Sequence, residues 1–189
     1  MQLAIEHLRE DLWVFGYGSL IWRPDLDYLE RAPARLIGAH RALCVFSHVH
    51  RGTPERPGLV LGLDLGGACR GVAYRVAAKK RADTIAYLRA REQATSVYRE
   101  TLRSVTLLGE PERRVSALVY MIDRGHVQYA GRLDLAQQLH LVRQGHGQSG
   151  PNREYVLSTV HALEALGLCD HDLHRLAEKL KGSHEGTAA

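Results

Sequence analysis

A chain of 189 residues, 45% hydrophobic and 24% charged, can bury a sizeable core and has ordinary globular composition, which excludes disordered and fibrous classes. Its 25 basic residues against 21 acidic ones leave a net charge of +4. They are scattered rather than gathered into a stripe, so no nucleic-acid surface is indicated. No apolar run approaches the roughly 18 residues of a membrane span, and residues 1–10 carry too much charge for a secretory signal. Cys44, Cys69 and Cys169 are odd in number, far apart and form no Cys-x-x-Cys pair, so free thiols in a reducing cytoplasm are expected.

Taken in order, residues 2–10 place Leu3, Ile5 and Leu8 among charges, as in a short helix or an extended arm. Trp13-Val14-Phe15 then reads as a buried strand over about 12–16. It runs directly into Gly16-Tyr17-Gly18-Ser19-Leu20, where two closely spaced glycines allow positive φ and a close approach of the backbone to a ligand. Residues 32–46 predict one long bent strand or two short ones, interrupted at Gly38. Residues 47–58, with two prolines, two glycines and no periodicity, predict a loop. Leu59, Leu61, Leu63 and Leu65 alternate as in a half-buried strand, Gly66-Gly67 predicts a hairpin turn, and residues 69–76 predict the returning strand. A helical period runs from Lys79 to Arg91, followed by strands over 98–108 and 114–122. Helices are expected over 133–144, 153–166 and 172–180, with Gly145 and Gly167 as C-terminal glycines, and a frayed tail from about Gly182. With neither repeat nor linker, a single domain over 1–189 is expected. Strands early and helices late indicate an α+β fold or a barrel with helices outside.

Several constellations that carry chemistry are absent. Gly16-Tyr17-Gly18 lacks the third glycine of a dinucleotide fingerprint, and no Walker lysine follows. Ser19 is not set in a Gly-x-Ser-x-Gly elbow, which argues against a nucleophile. His48 and His50 have no third metal ligand nearby, and His171 and His174 sit at a helix start where capping is the simpler role. Glu92 stands out instead. It lies where the helical stretch gives out before a strand, and a carboxylate at such a junction can point into a barrel mouth as well as into solvent.

The segments Trp13–Leu20 with Ile21-Trp22, His50-Arg51-Gly52, Pro57-Gly58, Gly71-Val72-Ala73-Tyr74-Arg75, Tyr87-Leu88 with Arg91-Glu92, and Gly150-Pro151-Asn152-Arg153-Glu154-Tyr155 occur in one order. Together they closely resemble the ChaC-like, glutathione-specific γ-glutamylcyclotransferases, over about residues 12–180. The resemblance implies a small mixed β-barrel with surrounding helices, no metal and no cofactor. It also implies cleavage of glutathione into 5-oxoproline and cysteinylglycine. It places the γ-glutamyl group on Tyr17, Gly18, Ser19 and Leu20, makes Glu92 the acid/base, and puts Tyr155 and Arg51 by the same pocket. Trp22 and Arg51 favour the glutathione-specific branch. In one departure, Gln93-Ala94-Thr95-Ser96-Val97 separates the Arg-Glu pair from Tyr98 with no glycine, where many relatives run quickly through glycines to a tyrosine.

In this reaction the nucleophile is the substrate's own α-amine, so no Ser or Cys nucleophile is needed. One carboxylate can serve as base and then as acid. The partner is therefore a small molecule, glutathione, with neither nucleic acid nor membrane implied. Two alternatives stay open: a cyclotransferase of other γ-glutamyl amines or amino acids, and a γ-glutamyl-binding protein without turnover. The presence of Glu92 argues against the latter.

Overall fold

The computed structural model describes residues 9–92 and 96–182. The expected arm over 2–10 lies mostly outside these, as do residues 93–95 of the departing segment and the expected frayed tail beyond Gly182. Strands β1 (Leu12–Gly16), β2 (Glu30–Ser47), β3 (Gly58–Val76), β4 (Tyr98–Leu107) and β5 (Arg113–Ile122) form a closed barrel in the order β1-β3-β2-β4-β5. Helices α1 (Arg81–Glu92), α2 (Leu135–Gln144), α3 (Asn152–Ala165) and α4 (His171–Lys181) complete the chain, with a two-residue ladder of β6 (His146–Gly147) and β7 (Gly150–Pro151) before α3. The described residues fall into two compact units. One comprises the chain up to Ala42 together with Gly62–His126, the other Leu43–Leu61 and the chain from Val127 on.

In the first unit, β1 closes the barrel. It pairs antiparallel with β3, from Leu12↔Val76 to Gly16↔Val72, and parallel with β5 at Trp13↔Ala117 and Val14↔Leu118. Paired on both sides, its Leu-Trp-Val-Phe run has the side chains of a central strand. β4 and β5 form a ten-pair antiparallel ladder from Tyr98↔Ile122 to Leu107↔Arg113. Helix α1 buries Arg81, Thr84, Ile85 and Leu88, a spacing that puts all four on one helical face. Ile85 and Leu88 join Leu12, Val14, Leu20, Val76, Leu118 and Tyr120 in one core cluster, with Tyr87 and Tyr98 packed against it. At about 1.5–3 kcal/mol for each fully buried large aliphatic side chain, this seat fixes the helix whose last residue is Glu92.

The expected hairpin at Gly66-Gly67 is a bend instead. Both glycines have positive φ, 95° and 70°, but the chain continues as one strand, β3. Its second half pairs with β1 rather than folding back on residues 59–65. Gly38, at φ 89°, lies within the nearly as long β2.

In the second unit, α2 begins at Asp134 with a capping box: the Asp134 carboxylate accepts from the Gln137 N–H, and the Gln137 side chain accepts from the Asp134 N–H. α4 begins at Asp170, which accepts from the Leu173 N–H, and buries Leu173, Leu176, Ala177 and Leu180. Gly167 has positive φ, as expected of a C-terminal glycine. Gly145 does not, with φ −70° and ψ 122°. Its reason is contact: a Cβ there would lie 2.5 Å from the Arg51 carbonyl oxygen.

Candidate functional site

The turn after β1 is a short 3₁₀ segment, Ser19–Ile21. Neither Gly16 nor Gly18 takes the positive φ expected for it. Gly16 is required by closeness, since a Cβ would lie 3.1 Å from the Leu20 Cβ and 3.3 Å from the Tyr74 ring. Gly71 meets the same neighbourhood from β3, where a Cβ would come within 2.3 Å of the Gly16 carbonyl oxygen. The turn closes with the Ile21 N–H donating to the Gly18 oxygen at 2.9 Å. The N–H groups of Ser19 and Leu20 open the turn and have no partner within it, as at any helical start.

Side chains from the sheet pin this turn. Arg41 donates from Nε to the Tyr17 oxygen at 2.6 Å and from Nη2 to the Arg70 oxygen at 2.7 Å. The Tyr74 hydroxyl donates to the Leu20 oxygen at 2.8 Å, and burial pushes that phenol's pKa up. Tyr17 and Leu20 are buried, whereas Ser19 is half-exposed. Ser19 is therefore the hydroxyl of this turn that meets solvent.

Glu92 is the last residue of α1, and its side chain is only 16% exposed. Burial raises its pKa, and the neighbouring Arg91 guanidinium, 3.3 Å away, partly offsets the rise. A carboxyl so placed holds its proton to a higher pH than a solvated one, which suits it to give and take protons. The same guanidinium donates to the Ser19 hydroxyl at 3.0 Å, so the glycine turn and Glu92 share one partner. Behind them, Glu100 on β4 accepts two bonds from Arg89, at 2.9 and 2.8 Å, and one from the Tyr120 hydroxyl at 3.3 Å. Burial and the charges of Glu100 and Glu92 keep Tyr120 protonated.

Arg51 and Tyr155 belong to the second unit and meet there. Arg51 is buried, with its guanidinium carbon 5.6 Å from the Tyr155 ring centroid. Its Nη1 donates to the Pro151 oxygen at 3.2 Å. The Tyr155 hydroxyl accepts from the Leu61 N–H at 3.1 Å, so ring and hydroxyl both have protein partners. Asn152, quoted in the sequence only as part of a motif, is fully buried and bonds both polar groups of Leu59: it accepts from the N–H at 2.6 Å and donates to the oxygen at 2.7 Å. Gly52, Gly58, Gly145 and Gly147 all pack against the backbone around Arg51.

The structure thus joins Tyr17, Gly18, Ser19, Leu20 and Glu92 in one unit and Arg51 with Tyr155 in the other. Sequence reasoning missed Arg91, Tyr87, Glu100, Tyr120 and Asn152 as contributors. The four-residue spacing of Tyr87 and Arg91 on a helix was the available signal for that pair. The remaining contacts are long-range. His50 meets the Ser149 hydroxyl at 3.2 Å, and no cluster of three His, Cys, Asp or Glu suited to a metal occurs among the described residues. A groove of about 470 Å³ in the second unit is lined by Arg56, Ala136, Leu139, His140, Arg143 and Gln144 and contains none of the candidate residues.

Comparison with known proteins points to one family. The ChaC-like protein family matches residues 12–183. A glutathione-specific γ-glutamylcyclotransferase of Escherichia coli is 34% identical over 170 residues, covering 90% of this chain and 73% of that protein. Human glutathione-specific γ-glutamylcyclotransferase 1 is 32% identical over 173 residues, covering 88% and 76%. The crystal structure of a glutathione-specific γ-glutamyl cyclotransferase from yeast superposes with a TM-score of 0.84 at 25% identity, covering 95% of this chain and all of that one. With nearly its whole length matched and relatives above 30% identity, the chain belongs to the ChaC-like protein family.

Proposed function

We propose that this chain is a γ-glutamylcyclotransferase that cleaves glutathione to 5-oxoproline and cysteinylglycine, with Glu92 as general base and then general acid. The observation that carries the reading is a nearly buried carboxylate with a raised pKa, tied through one guanidinium to a glycine turn. The α-ammonium of the γ-glutamyl group gives a proton to Glu92. The freed amine attacks its own γ-carbonyl carbon, forming the lactam C–N bond and placing negative charge on the carbonyl oxygen. Collapse breaks the bond to the cysteinyl nitrogen, which leaves as an amine with the proton returned by Glu92; the lactam nitrogen gives its surplus proton to the freed carboxylate, and the released amine takes that proton up as an ammonium. Atoms and electrons balance within one substrate, and no cofactor or covalent enzyme intermediate enters.

The protein's contribution is positional and electrostatic. Holding the glutamyl chain coiled gives the entropic advantage of a five-membered ring closure. The N–H groups of Ser19 and Leu20 and the Ser19 hydroxyl are the donors assigned to the glutamyl carboxylate or the developing oxyanion. Tyr17 and Gly18 shape the turn beneath it. Arg51 and Tyr155 are proposed as further substrate-binding residues, Arg51 by its charge and Tyr155 by its ring. Three free cysteines support a reducing, cytoplasmic setting, in which glutathione is itself a thiol.

The test is to incubate the purified protein with glutathione and follow 5-oxoproline. Turnover is expected, falling about 10²–10⁴-fold in Glu92→Gln, the usual loss for a proton-transferring group. A folded Glu92→Gln protein with near-normal turnover would remove Glu92 from the chemistry. Product from γ-glutamyl-alanine but not from glutathione would reassign the substrate.

A further inference from the structure

Arg91 is the penultimate residue of α1, and its side chain is 18% exposed. Adjacent residues on a helix point about 100° apart and do not ordinarily meet. Arg91 nevertheless reaches the carboxylate of Glu92 through Nε at 3.3 Å. Its other two nitrogens serve the segment after β1 and, through Tyr87, the helix itself. Nη2 donates to the Ser19 hydroxyl at 3.0 Å; Nη1 donates to the Arg23 oxygen at 2.7 Å and to the Tyr87 hydroxyl at 2.9 Å. Asp25 lies 3.7 Å from Nη1 and also accepts from Tyr87 and Arg23. One planar fork thus spans the binding turn, the loop that follows it and the end of the catalytic helix. A lysine has no such fork and cannot hold all of these partners in fixed directions.

We propose that Arg91 is the positioning residue of this site: its guanidinium sets the Ser19 hydroxyl and the Glu92 carboxylate at a fixed separation, so that a substrate seated on the turn meets an aligned acid/base. The proposal rests on the cyclotransferase reading above. It assigns Arg91 no contact with substrate, since each of its nitrogens already has a protein partner.

Charge is the second consequence. Glu92 faces the Arg91 cation on its own helix and Tyr120 on β5, whose pKa its charge helps to raise. Behind Tyr120, Glu100 on β4 is neutralised by Arg89. Arg91 is the influence that holds the pKa of Glu92 down against burial. Removing it raises that pKa further, so the acid limb of kcat/KM, which requires the Glu92 carboxylate, moves to higher pH.

The experiment measures kcat, KM and the pH profile of kcat/KM with glutathione for wild type, Glu92→Gln, Arg91→Met, Arg91→Lys, Ser19→Ala and Ser19→Ala/Arg91→Lys, after thermal melts confirm folding. Arg91→Met is expected to lose about 10²-fold in kcat, the cost of a misplacement of about 1 Å, with KM changed less and the acid limb shifted upward. Arg91→Lys is expected to keep the acid limb near wild type but still lose kcat. Its effect combined with Ser19→Ala is expected to be less than the product of the two single effects. Full kcat in Arg91→Lys, an unmoved acid limb in folded Arg91→Met, or strictly multiplicative effects of Ser19→Ala and Arg91→Lys would each overturn the proposal. Should Arg91→Met fail to fold, the lysine variant and its combination with Ser19→Ala decide. Wild type inactive on glutathione would instead overturn the underlying function, while an active wild type indifferent to Arg91 overturns this inference alone.

Discussion

Glu92 is where chemistry and stability oppose each other. Burial raises its pKa above the ordinary carboxylate value, so the folded protein binds that proton more tightly than the unfolded chain does. The group favours folding below its unfolded pKa, and this contribution is lost as pH rises through the folded value. Above its folded pKa the ionised Glu92 therefore weakens the fold. Glu92→Gln is expected to melt higher than wild type at pH 7–8, by about 2–4 °C for each kcal/mol relieved in a chain of this size. The difference is expected to shrink as pH falls into the range where Glu92 is protonated. Melting curves at stepped pH check this, and a variant less stable than wild type at pH 8 would contradict it. The sequence showed Glu92 as a carboxylate at a helix end. It did not show the burial.

Helix α1 is attached to the barrel by an ion pair as well as by its apolar face. Arg89 holds both oxygens of Glu100, whose side chain is only 1% exposed, and Tyr120 adds a hydroxyl. Glu100 and Tyr120 face one another as direct partners of the β4–β5 ladder. Breaking a buried pair by removing one partner costs about 3–5 kcal/mol. Arg89 is partly open to solvent and can rehydrate, so Glu100→Gln is expected to cost about 2–4 kcal/mol, read by urea denaturation. Because this pair lies one helical turn before Glu92, the same variant is expected to lose activity beyond its loss of stability. In the second unit, Asn152 holds Leu59 at the start of β3 and Tyr155 holds Leu61 two residues on. There the side chains of α3 take the place of a neighbouring strand.

At the scale of the whole molecule, β2 and β3 run unbroken through both compact units, and no helix of the described residues is long and apolar enough to cross a membrane. Cys69 in the first unit and Cys44 in the second are buried, whereas Cys169 is exposed. Since two strands are shared, the units are expected to unfold together. Alkylation of the native protein is expected to label Cys169 alone, and partial denaturation to expose Cys44 and Cys69 in step. Labelling of one buried thiol well before the other would show that the units open separately.

Much of this was legible in the chain itself, because local signals act over a few residues. The aromatic and β-branched run of β1, the 3.6-residue period of α1 and the turn signals between strands placed most elements within two residues, and the ordered motifs carried the family. What local signals cannot carry is which surfaces meet. Gly66-Gly67 has the chemistry of a hairpin, yet pairing with β1 made it a bend within β3. Gly16 and Gly145 looked like glycines chosen for positive φ, but neighbouring side chains and backbone make them necessary. Arg91 reaches Ser19 across 72 positions and Asn152 reaches Leu59 across 93. By itself the sequence determined the elements, the family and the residue types available for proton transfer. Only the tertiary structure decided that Glu92 is nearly buried and bridged to the glycine turn, because burial and long-range hydrogen bonds exist only once distant segments pack.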